Sequence, residues 1–171
     1  MKPEFAKLVT FRLGEDLFAA DIFAVERVLR YQEPTTVPEA PDWIEGVLEY
    51  QSRVVPVISL RRRFELTPRA PSSETRIIVL NARGEWIGAI VDAVVEVSSV
   101  EPGQMSPPPS FFRGLAGEYL KGIVRRGESG DRLVIVLDVE RLLSTTERIA
   151  LELETARGAA VGAPAGAAGN G

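Results

Sequence analysis

The feature that most constrains this chain is a pattern stated twice. Gly46-Val47-Leu48 starts a short apolar strand, a polar turn follows, and Arg53 opens a second apolar strand through Val54-Val55-Pro56-Val57-Ile58-Ser59-Leu60. The same order returns at Gly122-Ile123-Val124 and at Arg132-Leu133-Val134-Ile135-Val136-Leu137-Asp138-Val139. A second echo stands ahead of each, with Gly14-Glu15 before Leu17 to Val28 and Gly84-Glu85 before Trp86 to Val97. A unit duplicated at a spacing of about seventy to eighty residues, in two copies only, predicts two similar small β-modules joined in one compact protein and not a solenoid or propeller.

The local patterns fill in these modules. Leu8 to Leu13 alternates, with Val9, Phe11 and Leu13 on one face, which predicts a half-buried strand. Gly14-Glu15-Asp16 predicts a turn, and Leu17 to Asp21 the returning strand of a hairpin. Ile22, Val25 and Leu29 then fall at i, i+3 and i+7, predicting a short helical stripe. After a Pro-rich loop over Pro34 to Pro41 come a helical turn at Asp42 to Glu45 and strands at Val47 to Gln51 and Val54 to Ser59. Val54, Val55, Val57 and Ile58 place apolar groups on both faces of the second strand, which predicts its burial, while Pro56 predicts an edge or a bulge. Arg61-Arg62-Arg63, flanked by Leu60 and Phe64 at helical spacing, reads as a solvated helix face. Thr67 to Ser73 reads as the linker between the halves. Thr75 to Leu80 and Trp86 to Ala93 predict a hairpin, with Gly88 marking a bend or a close approach. Pro107-Pro108-Pro109 predicts a stiff loop, and Ser144-Thr145-Thr146-Glu147 has the form of a capping box opening a C-terminal helix. The Gly/Ala-rich residues 155–171 have too little to bury and are expected to be disordered.

Absences narrow the chemistry. With no His and no Cys among 171 residues, a His general base, a thiol nucleophile, a phosphohistidine and an ordinary zinc site are excluded. No Gly-x-x-x-x-Gly-Lys loop occurs, and acids such as Glu15 and Asp16 fall in a turn, where solvation is the ordinary role. The expectation is a binding protein, not an enzyme, with no cofactor and no metal. A formal charge of −4 argues against nucleic acid or an anionic membrane as main partner, and no apolar run approaches a membrane span. Met1 to Phe5 lacks the apolar core of a secretion signal, and the missing cysteines fit a cytoplasmic location.

On these residues the chain resembles a family. Phe18-Ala19-Ala20-Asp21-Ile22 with Val25 and Val28 is similar to the opening motif of the CheW family of chemotaxis coupling proteins. Pro38, Pro41, Gly46-Val47, Val54 to Leu60, Ile87-Gly88 to Val91-Asp92, Pro107 to Pro109, Tyr119-Leu120-Lys121-Gly122 and Leu137-Asp138 to Leu142-Leu143 continue it in order, from Lys7 to Leu143. The resemblance implies a mainly β fold of two packed SH3-like five-stranded barrels with short helices and a C-terminal helix. It places a single domain at residues 1–154, with barrel regions at about 7–66 and 74–143 and room for strand exchange between them. It further implies a non-enzymatic adaptor linking the cytoplasmic tip of a methyl-accepting chemoreceptor to the regulatory domain of a CheA-type histidine kinase, at membrane-associated arrays but without membrane insertion. That kinase domain is similar in fold to the adaptor, so the two can alternate in rings.

The resemblance puts the receptor side at Val25, Arg27, Val28, Gly46, Val47, Glu49 and Gln51, and two of these depart from the family pattern. The family usually carries Glu where this chain has Arg27, and Asn-Leu-Arg-Gly where it has Glu49-Tyr50-Gln51-Ser52. Residues 49 and 51 project from one strand face, so a pair of reversed polarity between Arg27 and Glu49 is one reading, and drift on a solvated surface the other. Altered charge there implies altered partner choice, and so a divergent pathway. Two further readings stay open: a kinase-binding inhibitor or array spacer without receptor coupling, and a small-ligand sensor with Trp43, Tyr50 or Trp86 lining a pocket between the barrels.

Overall fold

The computed structural model describes residues 6–108, 119–127 and 132–142. In chain order they form β1 (Ala6–Leu13), β2 (Asp16–Asp21), a 3-10 turn (Ile22–Ala24), β3 (Val25–Arg30), β4 (Ile44–Tyr50), β5 (Arg53–Ser59) and α1 (Leu60–Arg63). There follow β6 (Arg76–Ala82), β7 (Glu85–Val91), β8 (Ala93–Val100), a 3-10 turn at Pro102–Gln104, β9 (Met105–Ser106), β10 (Leu120–Arg126) and β11 (Arg132–Leu137). A helical turn opens at Val139, while the expected capping box, the rest of the C-terminal helix and the 155–171 tail lie outside the described residues.

Between β7 and β8, Asp92 alone separates two strands. Tight turns elsewhere use the left-handed region: Gly14 at φ +63°, Gln51 and Ser52 at +48° and +61°, and Arg83 and Gly84 at +56° and +84°. Paired positive φ values suit a two-residue hairpin, because that turn matches the twist of the strands it joins.

The strands build two sheets, in order β8-β1-β2-β11-β10-β9 and β3-β6-β7-β5-β4. Each sheet takes strands from both halves. The first pairs the β1–β2 hairpin with β8 to β11, and the second pairs the β6–β7 hairpin with β3 to β5. The protein is therefore mainly β, with two sheets of six and five strands and few short helices.

Three apolar clusters explain why the strands read as nearly continuous hydrophobic runs. Leu8, Ala19, Val100, Val124, Val134 and Val136 fill the first sheet's own interior. Leu48, Val57 and Ile77, with Leu29, Tyr31 and Ile90 against them, fill the second's. The largest cluster lies between the sheets and takes the alternate residues of the same strands: Phe18 and Ala20 of β2, Ile58 of β5, Ile78 and Leu80 of β6, and Leu137 of β11. Burying one such aliphatic side chain contributes roughly 1.5–3 kcal/mol relative to exposure, so an inner strand that feeds two cores has no polar face to spare.

Four expectations change. The predicted helical stripe at Ile22 to Leu29 is a single 3-10 turn, closed by Asp21 Oδ1 accepting from Phe23 N at 2.9 Å, followed by strand β3. Val25, Val28 and Leu29 are β-favouring, and pairing with β6 outweighs a spacing that fits a helix only by its ends. The turn expected at Asp42 to Glu45 occupies only Asp42 and Trp43, with β4 starting at Ile44. Val54 is 72% exposed, so β5 is buried only from Val55 onward. Pro56 lies on an inner strand, at a point where parallel pairing with β7 has not begun; that pairing starts at Val57 opposite Gly88. Gly88 does mark a close approach: a Cβ there would lie 2.9 Å from Ile77 Cγ2.

Candidate partner-binding surface

The residues expected on the receptor side fall on the two edge strands of the second sheet. Val25, Arg27 and Val28 belong to β3, Gly46, Val47 and Glu49 to β4, and Gln51 to the turn that follows. These strands stand at opposite ends of the sheet order, and no ladder joins them, yet Leu29 and Leu48 pack into one interior cluster. The sheet is thus rolled up, with β3 and β4 flanking its seam.

Arg27, Val28, Glu49 and Gln51 are exposed, Val25 and Val47 half-buried, and Gly46 buried. No ion pair joins Arg27 to Glu49. A bulge at Glu26 resets the facing of Arg27 on its edge strand. Gln51 donates instead to Tyr50 Oη at 3.2 Å.

Gly46 has a packing role of its own. At φ +148° its missing Cβ would fall 2.1 Å from the Thr35 carbonyl oxygen. That closeness lets Thr35 and Val47 exchange two backbone hydrogen bonds of 2.9 Å, which bring the Pro-rich loop onto β4. Gly122 does the same in the other sheet: its Cβ would fall 2.7 Å from Ser106 O, where β9 pairs with β10. The glycine shared by both repeats is therefore the point where a crossing segment touches the barrel.

Three exposed features were not singled out by sequence reasoning. Phe23 is 92% exposed on the capped 3-10 turn beside β3. Val54 stands exposed at the start of β5, and Leu133, at the matching start of β11, is 47% exposed. Val28 on β3 is matched by Val97 on β8, because Val28 pairs with Ile78 just as Val97 pairs with Val9 at the same distance from its hairpin turn. In the first sheet, Val95 and Leu133 line one open cavity with Arg12 and Arg132. The repeat itself was the signal that could have flagged these: both copies place an apolar residue after the strand-opening arginine, and both leave it in water.

The triple arginine is not a solvated face. Arg61 reaches both carboxylate oxygens of Asp92, Nε to Oδ1 at 2.9 Å and Nη2 to Oδ2 at 2.5 Å, and also donates to Thr67 O. Asp92 Oδ2 accepts from Gly14 N at 2.7 Å, so this pair ties α1 to the β1–β2 turn of the other sheet. Burial alone would raise the Asp92 pKa, but the Arg61 hydrogen bond, the Gly14 amide and the charges of Arg61 and Arg69 outweigh it and leave it lowered. Arg63 is buried, with its guanidinium 4.5 Å from the Trp43 ring centre and 4.7 Å from that of Tyr119, and it hydrogen-bonds Tyr119 Oη. Cation–π contacts of this desolvated kind are worth about 2 kcal/mol.

Trp43 is thus occupied by Arg63, and Trp86 lies under the Arg53 guanidinium at 3.9 Å with Tyr50 beside it. Neither open cavity described here is lined by these aromatics. Among the described residues, no group of His, Cys, Asp or Glu is placed to hold a metal, and no helix is long and apolar enough to cross a membrane.

Comparison with known proteins agrees with this architecture. Residues 7–147 match the family model of the CheW-like domain. A chemotaxis protein CheW of Treponema pallidum is 34% identical over 145 residues, covering 82% of this chain and 84% of that protein. One from Klebsiella aerogenes is 36% identical over 141 residues, covering 82% and 83%. Protein FrzA of Myxococcus xanthus is 29% identical over 143 residues, covering 82% and 87%. The crystal structure of the scaffolding protein TtCheW from Thermoanaerobacter tengcongensis aligns with a TM-score of 0.71 at 34% identity, over 80% of this chain and 86% of that one. The two rolled sheets are the two SH3-like subdomains of that fold. With the duplicated strands, the bulged glycines and these matches in hand, this chain belongs to the CheW family of chemotaxis proteins.

Proposed function

We propose that the protein is a non-enzymatic adaptor that couples chemoreceptors to a CheA-type histidine kinase. One observation carries the reading: a chain of this family presents two matching outer faces, one on each barrel. Val28 and Val54 mark the second sheet, and Val97, Val95 and Leu133 the first. An adaptor must hold two partners at once, and exposed apolar side chains at matched places on opposite barrels supply two sites without mutual exclusion.

The faces differ in charge. Arg27, opposite Val79, and Glu96, opposite Thr10, take the same register position on β3 and β8. This difference supports distinct partners for the two faces, with charge selecting between them. On this reading Arg27, Val28, Glu49 and Gln51 contact the receptor, Val25 and Val47 border the contact, and buried Gly46 shapes it. The protein would work in the cytoplasm, at receptor arrays.

The test is binding of the purified protein to the regulatory domain of its organism's kinase and to a receptor-tip fragment, separately and together. Simultaneous binding is expected. Val54→Glu and Leu133→Glu should each weaken one partner and spare the other, since both positions are exposed and cost the fold little. Binding to the kinase alone, with the receptor fragment excluded, would refute the coupling role.

A further inference from the structure

The linker between the halves roofs an open cleft of about 320 Å³ that no part of the partner-binding reading uses. Its walls carry Tyr31 just after β3, Arg61 and Arg62 of α1, Arg69 of the linker, Ser59 and Thr75, with two carboxylates, Glu45 and Asp92, among them. Three guanidinium groups therefore converge in a protein whose overall formal charge is −4. Arg61 is engaged by hydrogen bonds to Asp92 and Thr67. Arg62 and Arg69 are not: each is steadied by a longer ion pair, 3.5 Å to Glu45 and 3.7 Å to Asp92, and neither side chain donates a hydrogen bond among the described residues. Their side chains remain 41% and 62% exposed.

The neighbouring hydroxyls add donors. Thr75 Oγ1 accepts from Ser72 N at 2.8 Å and Ser59 Oγ from Arg62 N, so each keeps its own proton to give. Tyr31 stays a phenol well above neutral pH, its pKa raised by burial and by the charges of Glu33 and Glu45. The cleft is thus rich in donors held in place by acids that they do not saturate, which is the chemistry of an oxyanion site. Its volume lies at the lower end of small-molecule sites and exceeds what a bare phosphate needs.

We infer that this cleft binds a small phosphate ester, gripped by Arg62 and Arg69 and bordered by the hydroxyls of Tyr31, Ser59 and Thr75. Such a ligand would join the linker to α1, beside the Arg61–Asp92 pair that connects the two sheets.

The test is a thermal-shift titration of the full chain with glycerol 3-phosphate, AMP and inorganic phosphate, at ionic strength fixed with chloride. A saturable rise of about 5–10 °C at a hundredfold excess over Kd is expected for an ester. It should be lost in the Arg62→Ala/Arg69→Ala double variant. Arg69→Glu, a single change on the exposed linker, serves if the double variant fails to fold, and it should lose the response equally. An equal response to inorganic phosphate would overturn the ester assignment and leave a site for the bare anion. No saturable shift with any of the three, or a shift that survives Arg69→Glu, would overturn the proposal.

Discussion

Arg63 and Leu142 occupy the same place in the two halves of the molecule. Ser59 caps α1 by accepting from Arg62 N, and Asp138 caps the next helical turn by accepting from Arg141 N. Each stands four residues before the position compared. The equivalence extends outward. Ser59 N donates to Trp43 O, and Asp138 N to Tyr119 O, so the two rings that hold Arg63 are themselves a matched pair. Arg61 likewise matches Glu140: the first reaches the β1–β2 turn at Gly14 through Asp92, and the second reaches Arg83 in the β6–β7 turn at 3.6 Å. A duplicated frame with single-residue differences at its joint teaches where the halves have specialised. The strands and bulges are kept, while charge is placed differently at the seam and on the edges.

The largest way to break this symmetry is at its glycines. Gly46→Ala meets backbone at 2.1 Å and should cost more than about 3 kcal/mol in urea unfolding. Gly122→Ala meets the Met105 side chain as well as Ser106 O, both at 2.7 Å, and should cost less, because part of that contact can swing away. Equal costs would mean that the two crossing segments are held alike.

Next comes the seam. Arg63→Ala opens a hole between Trp43 and Tyr119 and should cost about 2–4 kcal/mol. Arg63→Leu, which copies the other half, should recover at least half of that loss. If it recovers nothing, the guanidinium itself is what holds the rings.

The Arg61–Asp92 pair gives a pH test. Asp92 titrates below the ordinary carboxylate value of 3.8, so the folded state binds its proton less readily than the unfolded state. Its contribution is therefore full above that value and is lost as pH falls through the lowered native pKa. Asp92→Asn should cost about 2–3 kcal/mol at neutral pH, and its stability should fall less steeply than that of the wild type below pH 4. Parallel curves would remove Asp92 from the acid response. The smallest effect belongs to the exposed counterpart: Glu140→Gln should cost under about 1 kcal/mol, and a larger loss would show the two latches to be equals.

Much of this was legible in the chain, for definite reasons. Hairpins show because alternation and turn residues are local, and the matched glycines and arginines 53 and 132 show because a bulge and a strand opening each demand a residue type. Three things do not show. Strand β3 reads as a helix because Val25 and Leu29 fit that spacing, and only its pairing with β6, some fifty residues on, decides otherwise. The membership of each sheet is invisible because β3 meets β6 in the same register in which β8 meets β1, so the local pattern of the two strands does not tell their partners apart. The arginine run reads as surface because its partners are distant, Asp92 being 31 residues from Arg61 and Tyr119 56 from Arg63. On the candidate partner-binding surface, the exposed positions of β3 and β4 could be named from the sequence, whereas the apolar positions at the starts of β5 and β11 needed the structure, since valine and leucine in a strand read as core.

That each sheet takes strands from both halves also decides what survives a cut. Cleavage within Thr67–Ser73 would leave an N-terminal fragment holding β1 to β5 and a C-terminal fragment holding β6 to β11. Neither fragment contains a whole barrel, because each lacks the hairpin or the edge strand that the other carries. The two pieces would be obligate complements, folding only on each other, so that a gene split at the linker would report its own reassembly.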